Sequence, residues 1–156
     1  GCILLTLLSE LPNATGIGLD VSPTALAIAK YNAEAMELGS RAEFIISDWF
    51  TALDATFNLV VSNPPYISTT EKATLDPEVT DWDPEAALFA GMDGLQAYRE
   101  IASGLNTVLK PDGAALFEVG MGQAEPVTEL LENAGFRRIS SRCDLGGIER
   151  CLIVQR

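Results

Sequence analysis

The most chemically specific stretch of the sequence is Asn63-Pro64-Pro65-Tyr66, which follows an apolar run at Phe57–Ser62. Two consecutive prolines restrict the backbone and push the residue before them out of the helical region. The Asn63 side chain and a nearby backbone carbonyl would then be two fixed hydrogen-bond acceptors, which suit an –NH2 group with its two N–H donors. Tyr66 can stack on a flat amide or base. The alternative is a plain Pro-Pro turn, which we consider weaker because other strand ends also carry polar side chains.

Two carboxylates stand at similar positions earlier in the chain. Asp20 follows the short run Thr15–Leu19, and Asp48-Trp49 follow the run Ala42–Ser47. In nucleotide-binding α/β folds a carboxylate at this place accepts hydrogen bonds from ribose hydroxyls, although Asp20 could instead stabilise the N-terminus of the next helix. Asp48 could accept from the exocyclic amine of adenine, with Trp49 as an aromatic wall. Taken alone, Trp49 would be interpreted as a cover for the sheet edge.

An α/β framework must position these residues, and the order of apolar runs along the chain is typical of such a framework. Short β-type runs alternate with helical stretches, which predicts a largely parallel sheet. We expect helices at Cys2–Leu11, 22–38, Gly94–Leu109 and Gln123–Ala134, and strands at Thr15–Leu19, Ala42–Ser47, Phe57–Ser62 and Ala114–Val119. Because the carboxyl ends of parallel strands share one edge, where ligands bind in such folds, the polar residues form a coherent site.

Local signals predict several boundaries. Ser22 and Pro23 suit the start of the second helix, and Gly39 suits a left-handed residue at its end. The apolar face of that helix is predicted as Ala25, Ile28, Ala29 and Met36, with Asn32 as an exception. Residues 110–113 are predicted to form a turn, and residues 67–92 a long loop, which in a compact domain is usually functional. Arg137–Asp144 and Ile148–Val154 predict an antiparallel hairpin, because Gly146-Gly147 is too short a connection for a crossover helix.

Composition excludes several classes of protein. The 156 residues are 47% hydrophobic and 21% charged, as in ordinary globular domains, and no apolar run approaches the length of a membrane span. Ten basic against 22 acidic residues give a net charge of −12, which argues against nucleic acid as the main partner. Histidine is absent, and the three cysteines are widely spaced. We therefore expect no imidazole chemistry, no metal site, no disulfide framework and a cytoplasmic location.

Taken together, these motifs resemble the HemK/PrmC group, the release factor N5-glutamine methyltransferases. The resemblance covers essentially the whole chain. It rests on the sequence segments 47–50 (SDWF), 60–67 (VVSNPPYI), Asp83-Pro84 with Ala87-Leu88, 93–95 (DGL) and 144–150 (DLGGIER). Asn-Pro-Pro-Tyr alone is shared with adenine-N6 enzymes. The resemblance implies a Rossmann-like class I methyltransferase sheet and S-adenosylmethionine as the cofactor.

The resemblance also assigns roles to individual residues. Asn63 and the Pro64 carbonyl would accept the two N–H groups of the substrate amide, beside Pro65 and Tyr66 in the substrate site. Asp20, Asp48, Trp49, Asn63 and Gly1 would contact the cofactor. Gly1 resembles the last glycine of the family's cofactor loop, Asp-x-Gly-x-Gly-x-Gly. No metal is implied.

The same comparison implies that the catalytic domain, residues 1–156, is incomplete at its N-terminus. The first, central strand and an upstream helical domain are then expected to be missing, and the chain alone is expected to bind the cofactor poorly. Trp82-Asp83-Pro84 departs from the family, which commonly has an aromatic residue followed by Glu-Pro. Residues 67–92 are the candidate wall for the substrate segment.

The implied activity is methyl transfer to the glutamine of the Gly-Gly-Gln loop of peptide chain release factors, by a monomer that binds neither nucleic acid nor membrane. The acidic composition suits a protein substrate. One alternative is an adenine-N6 methyltransferase acting on DNA or RNA. The other is an inactive fragment or a non-catalytic interaction module.

Overall fold

In the computed structural model, which describes residues 1–74 and 84–156, the chain divides into two units, Gly1–Asp54 and Ala55–Arg156. Within these described ranges each unit has its own sheet, one with two strands and the other with four. Within the described residues, no helix is long and apolar enough to cross a membrane.

The first unit alternates helices and strands. Its elements are α1 (Cys2–Glu10), β1 (Gly16–Asp20), α2 (Pro23–Ala35) and β2 (Ala42–Ile46). The strands pair in parallel, with Gly16 opposite Ala42 and Asp20 opposite Ile46. Leu5 and Leu8 of α1 are buried together with Ala33 and Leu38, against which Leu4, Ala14, Ala42 and Phe44 pack. Through this small core, a layer formed by α1 and α2 packs on the two-stranded sheet.

Arg41 closes the end of α1. Its guanidinium donates to the backbone carbonyls of Leu8, Leu11 and Ala14, at 2.8, 3.0 and 3.0 Å. The last carbonyls of a helix have no partner within the helix, and a cation placed there also opposes the helix dipole. Arg41 therefore replaces a local cap with a contact from a residue about thirty positions further along the chain.

The second helix begins as predicted but ends early. Ser22 accepts from the Ala25 N–H through its side chain, and Pro23 is the first helical residue. The left-handed residue at the other end is Glu37, with φ 59°, and not the predicted Gly39. The Leu38 N–H donates to the Ala33 carbonyl at 2.8 Å, as in a Schellman motif, and the buried Leu38 side chain supplies the apolar contact that accompanies it.

The predicted apolar face of α2 was correct at Ala29 and wrong at Ile28 and Met36. The helix buries Leu26, Ala29 and Ala33, whereas Ile28 and Met36 are 58% and 47% exposed. Periodicity alone allowed either face, and packing against the small core selects the one that carries Leu26 and Ala33.

The second unit carries the remaining elements. They are β3 (Phe57–Ser62), a 3₁₀ helix (Thr69–Thr74), α3 (Glu85–Leu88), α4 (Gln96–Val108), β4 (Leu109–Glu118), α5 (Ala124–Asn133), β5 (Arg138–Cys143) and β6 (Glu149–Gln155). The sheet order is β3-β4-β6-β5, with β3 and β4 parallel and β6 antiparallel to both of its neighbours. The predicted C-terminal antiparallel hairpin is confirmed.

Residues 110–113 do not form the predicted turn between a helix and a strand. They lie inside β4, which begins directly after α4. Phe57 pairs with Leu109 and Leu59 with Ala114, so extra residues of β4 bulge out between these two pairs. Such a bulge absorbs Pro111, which cannot donate to the ladder, and the turn-like residues around it.

The core of the second unit comes mainly from one face of α4 and from the central strands. The helix buries Ala97, Tyr98, Ile101, Ala102, Leu105 and Val108, at the three- and four-residue spacing of an amphipathic helix. Phe117, Leu152 and Val154 are buried from the sheet. Because β3, β4 and β5 all run the same way, their carboxyl ends at Ser62, Glu118 and Cys143 lie at one edge, which we call the second carboxyl edge.

Candidate functional site

Asp20 is the last residue of β1, so its side chain stands at the carboxyl edge of the two-stranded sheet. Its Oδ1 accepts from the Ser22 N–H at 2.8 Å, which fixes the turn into α2. Its Oδ2 accepts no hydrogen bond from the described residues. The carboxylate is half-buried and oriented by its own turn, while one oxygen stays available to a ligand.

Asp48 and Trp49 lie at the same edge as Asp20, because the Ser47 N–H donates to the Asp20 carbonyl at 3.1 Å. The Asp48 side chain is exposed, and Trp49 is half-buried in the left-handed region with φ 48°. A non-glycine residue at this φ needs support from its surroundings. We call this group of residues the first carboxyl edge.

Ser47 provides that support. Its buried hydroxyl donates to the Trp49 carbonyl at 2.8 Å and accepts from the Ala52 N–H at 3.1 Å. The turn that presents Asp48 and Trp49 is therefore held locally, by Ser47 and by the Thr51 hydroxyl, which donates to the Asp48 carbonyl at 2.8 Å.

Gly1 precedes α1, and its carbonyl accepts from the Leu5 N–H at 3.0 Å. A Cβ at this position would lie 2.6 Å from the Cβ of Ala29. The close approach of α1 to α2 therefore requires glycine, whatever part Gly1 has in cofactor binding.

Asn63 lies at the second carboxyl edge, directly after the last residue of β3. Its side chain is exposed, Pro64 is buried, and Pro65 and Tyr66 are half-buried. The buried Pro64 anchors the corner, so the Asn63 amide is presented to solvent from a restrained backbone.

Tyr66 is held by a residue that sequence reasoning did not identify. The Gln123 side-chain amide donates to the Tyr66 carbonyl at 2.9 Å and to the Gly94 carbonyl at 3.4 Å. Its Oε1 accepts from the Gly120 N–H at 3.1 Å. One neutral side chain thus joins the loop after β3, the loop before α4 and the loop after β4.

Tyr98, a buried residue of α4, supports the second carboxyl edge at the end of β4. Its buried hydroxyl donates to the Glu118 carbonyl at 2.7 Å. Burial raises the pKa of Tyr98 well above its ordinary value, and the charges of Tyr66 and Glu118 raise it further. Tyr98 therefore stays protonated and is a fixed donor rather than an acid–base group.

The loop before α4 is tied to the candidate site through its backbone. The Ile67 N–H donates to the Leu88 carbonyl, and the Ser68 hydroxyl donates to the Met92 carbonyl. Asp93 is paired with the Arg99 guanidinium, which lowers the pKa of Asp93 to about 2.

Within the predicted substrate wall, residues 75–83 lie outside the described part of the chain. This range includes the motif residues Trp82 and Asp83, and Pro84 immediately precedes α3.

The tip of the β5–β6 hairpin lies at the second carboxyl edge as well. Asp144 accepts from the N–H groups of Gly146 and Ile148, at 2.8 and 3.0 Å. Its other oxygen lies 3.7 Å from Nε of Arg150, whose Nη1 contacts the Val119 carbonyl at 3.4 Å. The motif at 144–150 thus rigidifies a tip that carries the fully exposed Leu145. In the described residues no set of Cys, Asp or Glu side chains is arranged to hold a metal ion.

Comparison with known proteins identifies the family. The model of the methyltransferase small domain matches residues 1–78. The chain belongs to this methyltransferase family.

Among curated relatives, it is 49% identical over 150 residues to the release factor glutamine methyltransferase of Cereibacter sphaeroides, covering 96% of the chain and 54% of that protein. The same enzyme of Rhodospirillum rubrum is 46% identical over 156 residues, which cover 100% of the chain and 48% of that protein. The chain spans about half the length of these relatives.

Solved structures confirm the fold class. The hMettl16 catalytic domain in complex with MAT2A 3′UTR hairpin 6 matches with a TM-score of 0.73 at 17% identity, covering 99% of this chain and 60% of that one. An RNA methyltransferase from Salinibacter ruber in complex with S-adenosyl-L-homocysteine matches with a TM-score of 0.59 at 16% identity, covering 99% and 73%. At these identities the likeness concerns the fold alone, which is the α/β fold of Rossmann-like class I methyltransferases, as predicted.

Proposed function

We propose that this chain is part of an enzyme that transfers a methyl group from S-adenosylmethionine to the side-chain amide nitrogen of a glutamine in a peptide chain release factor. The observation that carries the proposal is the exposed Asn63 amide beside the buried Pro64, on a corner whose Tyr66 carbonyl accepts from the Gln123 side chain. The names of the relatives at 49% and 46% identity support the choice of substrate.

The first carboxyl edge fits the nucleoside part of the cofactor. The free oxygen of Asp20 suits a ribose hydroxyl, and the exposed Asp48 carboxylate suits the exocyclic amine of an adenine, beside the Trp49 ring. Gly1 would belong to the loop that contacts the rest of the cofactor. When bound, S-adenosylmethionine supplies an electrophilic methyl group on a sulfonium. The carboxylate acceptors and the aromatic ring at this edge therefore fit the hydroxyl, amine and base of the cofactor's nucleoside.

The second carboxyl edge would prepare the amide. An amide nitrogen is a poor nucleophile because its lone pair is delocalised into the carbonyl. Asn63 Oδ1 and the Pro64 carbonyl oxygen can accept its two N–H groups and so orient its π face. Positive charge develops on this nitrogen during transfer, and acceptor oxygens aimed at it stabilise the transition state more than the ground state. Tyr66 offers a flat surface for the planar amide.

No general base is assigned. The chain has no histidine, and Tyr98 stays protonated because its pKa is raised by burial. The nitrogen becomes strongly acidic once it is methylated and cationic, so its proton can leave to water after the transfer.

The test uses the protein expressed from its complete reading frame. With radiolabelled S-adenosylmethionine, we expect label on a release factor, and mass spectrometry should place the added methyl group on the glutamine of Gly-Gly-Gln. A release factor with that glutamine replaced by alanine is the matched control. Label on an adenine-containing oligonucleotide but not on the release factor would replace this proposal by adenine-N6 methylation. Absence of transfer to either substrate would reject both activities.

A further inference from the structure

We infer that Gln123 is a positioning residue for the substrate site, and this inference rests on the proposed function. It acts through the loop it holds, not by contact with the reacting atoms. Its two donated hydrogen bonds fix the Tyr66 carbonyl and the loop at Gly94, and its accepted bond fixes Gly120. No motif identified in the sequence includes this residue.

The hydrogen-bond partners of the Gln123 amide nitrogen are far from it along the chain. Gln123 is 57 residues from Tyr66 and 29 residues from Gly94, so each bond joins loops that local structure leaves independent. All three loops rise at the second carboxyl edge. Gln123 itself precedes α5, and its backbone N–H donates to the Gly120 carbonyl at 3.0 Å. Its own backbone is therefore held while its side chain reaches across the site.

The arrangement around the Gln123 side chain requires glycine at two positions. A Cβ on Gly94 would lie 2.4 Å from the Tyr66 carbonyl oxygen and 2.8 Å from Nε2 of Gln123. A Cβ on Gly120 would lie 2.7 Å from Oε1 of Gln123 and 3.1 Å from Cδ2 of the Tyr66 ring. Both positions leave room only for hydrogen. The close packing of three loops around one amide is thus encoded at two further sequence positions.

The Tyr66 carbonyl needs a donor and the Gly120 N–H needs an acceptor, so the side chain at 123 must supply both. Among uncharged side chains of this length only glutamine does so in one plane. Glutamate keeps the acceptor but places a second oxygen against two carbonyl oxygens, and methionine keeps the size but removes both functions.

The functional consequence follows from the corner at Asn63. Tyr66 ends the segment whose oxygens would hold the substrate amide. Movement of the backbone at the Tyr66 carbonyl would therefore also displace Pro64 and Asn63. A displacement of about 1 Å in a catalytic group can lower the rate about a hundredfold. Cofactor affinity should be unaffected, because Asp20, Asp48 and Trp49 are held by bonds of their own.

The experiment compares Q123M and Q123E with the wild type, in the protein expressed from its complete reading frame. We expect kcat for release factor methylation to fall about 10- to 100-fold in both variants, with cofactor affinity within about twofold of wild type. The matched control is Q155M, because Gln155 is exposed at the end of β6. A kcat of Q123M within about twofold of wild type would overturn the inference.

The pH dependence separates positioning from general stability. Two carbonyl oxygens beside the new carboxylate of Q123E disfavour its charged form and raise its pKa. The protonated form has an O–H that can donate to the Tyr66 carbonyl. The activity of Q123E relative to wild type should therefore rise as the pH is lowered from about 8 to about 6, whereas that of Q123M should stay constant. A flat ratio for Q123E would contradict the assigned hydrogen bond.

A readout without turnover keeps this inference distinct from the proposed function. Labelling the same protein with 3-fluorotyrosine places 19F signals on Tyr66 and Tyr31, and Y66F and Y31F variants assign them. In Q123M the Tyr66 signal should shift and broaden, while that of Tyr31, which is 74% exposed on α2, should not change. If the wild type methylates no amide, the proposed function fails. Whether or not it does, an unchanged Tyr66 signal in Q123M would overturn the positioning role of Gln123.

Discussion

The two carboxyl edges hold their polar groups by contacts of very different range. At the first edge, Asp20 is oriented by Ser22, two residues away, and Trp49 by Ser47 within the same turn. At the second edge, Tyr66 is held by Gln123 and the Glu118 carbonyl by Tyr98, at separations of 57 and 20 residues. A locally held group needs only its own turn, whereas a group held at long range needs the whole unit to be folded.

This difference fits a division of tasks. Carboxylates that bind a nucleoside need charge and an approximate position, which a short turn provides. Acceptors that stabilise a transition state must be preorganised, since movement at the reacting centre costs rate directly. Substitutions at the first edge should therefore weaken cofactor binding, and those at the second should reduce turnover.

The largest effect is expected for Asn63. N63A removes an acceptor from the proposed amide site, and kcat should fall about 100- to 1,000-fold, as when one preorganised donor is removed from an oxyanion hole. Cofactor affinity, measured by calorimetric titration, should change much less. The control is N58A, at an exposed asparagine of β3, the strand that precedes Asn63. Turnover of N63A within about threefold of wild type would contradict the role of this residue.

Gly94 tests whether the second edge depends on close packing. G94A and G135A both place a Cβ at positive φ, at +72° and +100°, but only Gly94 has neighbours within 4 Å. Both should lose about 1–2 kcal/mol of unfolding free energy from the backbone, and G94A about 1–3 kcal/mol more from overlap with the Tyr66 carbonyl. Urea denaturation measures both values. Equal destabilisation of the two variants would show that the loops can move apart without cost.

Asp20 tests the first edge. D20N keeps the acceptor for the Ser22 N–H but removes the charge, so the fold should be unaffected while the KM for the cofactor rises about tenfold. The expected kcat is that of the wild type, which is the opposite of the result for N63A. D54N, at an exposed aspartate, is the control. A loss of kcat without a change in KM would remove the proposed division between the edges.

The smallest effect is expected for the exposed pair of Asp93 and Arg99. Arg99 lowers the pKa of Asp93 from 3.8 to about 2. A carboxyl pKa that is lower in the folded protein stabilises it above the unfolded value, and this contribution is lost as the pH falls from 3.8 to about 2. In R99Q the Asp93 pKa, followed by carbon NMR, should return toward 3.8. Stability at neutral pH should hardly change, because both side chains are exposed. An unaltered titration in R99Q would assign the low pKa to the loop backbone instead.

Prediction from the sequence succeeded where signals are local. Ser22 and Pro23 begin α2 as predicted, the hairpin around Gly146-Gly147 is antiparallel, and the strand before Asn63 has the predicted bounds. It failed where tertiary packing chooses between local options. Glu37 rather than Gly39 is left-handed because Leu38 is drawn into the core, and residues 110–113 are a bulge because β4 pairs on both sides of them.

The sequence by itself determined the family and the residue types of the candidate site, since Asp20 ends a strand and Asp48 and Asn63 follow one, each at a short, recognisable turn. Only the tertiary structure decided which side chains hold these turns from a distance. Gln123 and Gly120 belong to no motif of the sequence, and Gly94 lies in the segment Asp93-Gly94-Leu95 without an assigned role. Their meeting at the Tyr66 carbonyl depends on how three loops converge at one sheet edge. The physical reason is that backbone preference acts over a few residues, whereas hydrogen bonds and close packing act between any groups that the fold brings together.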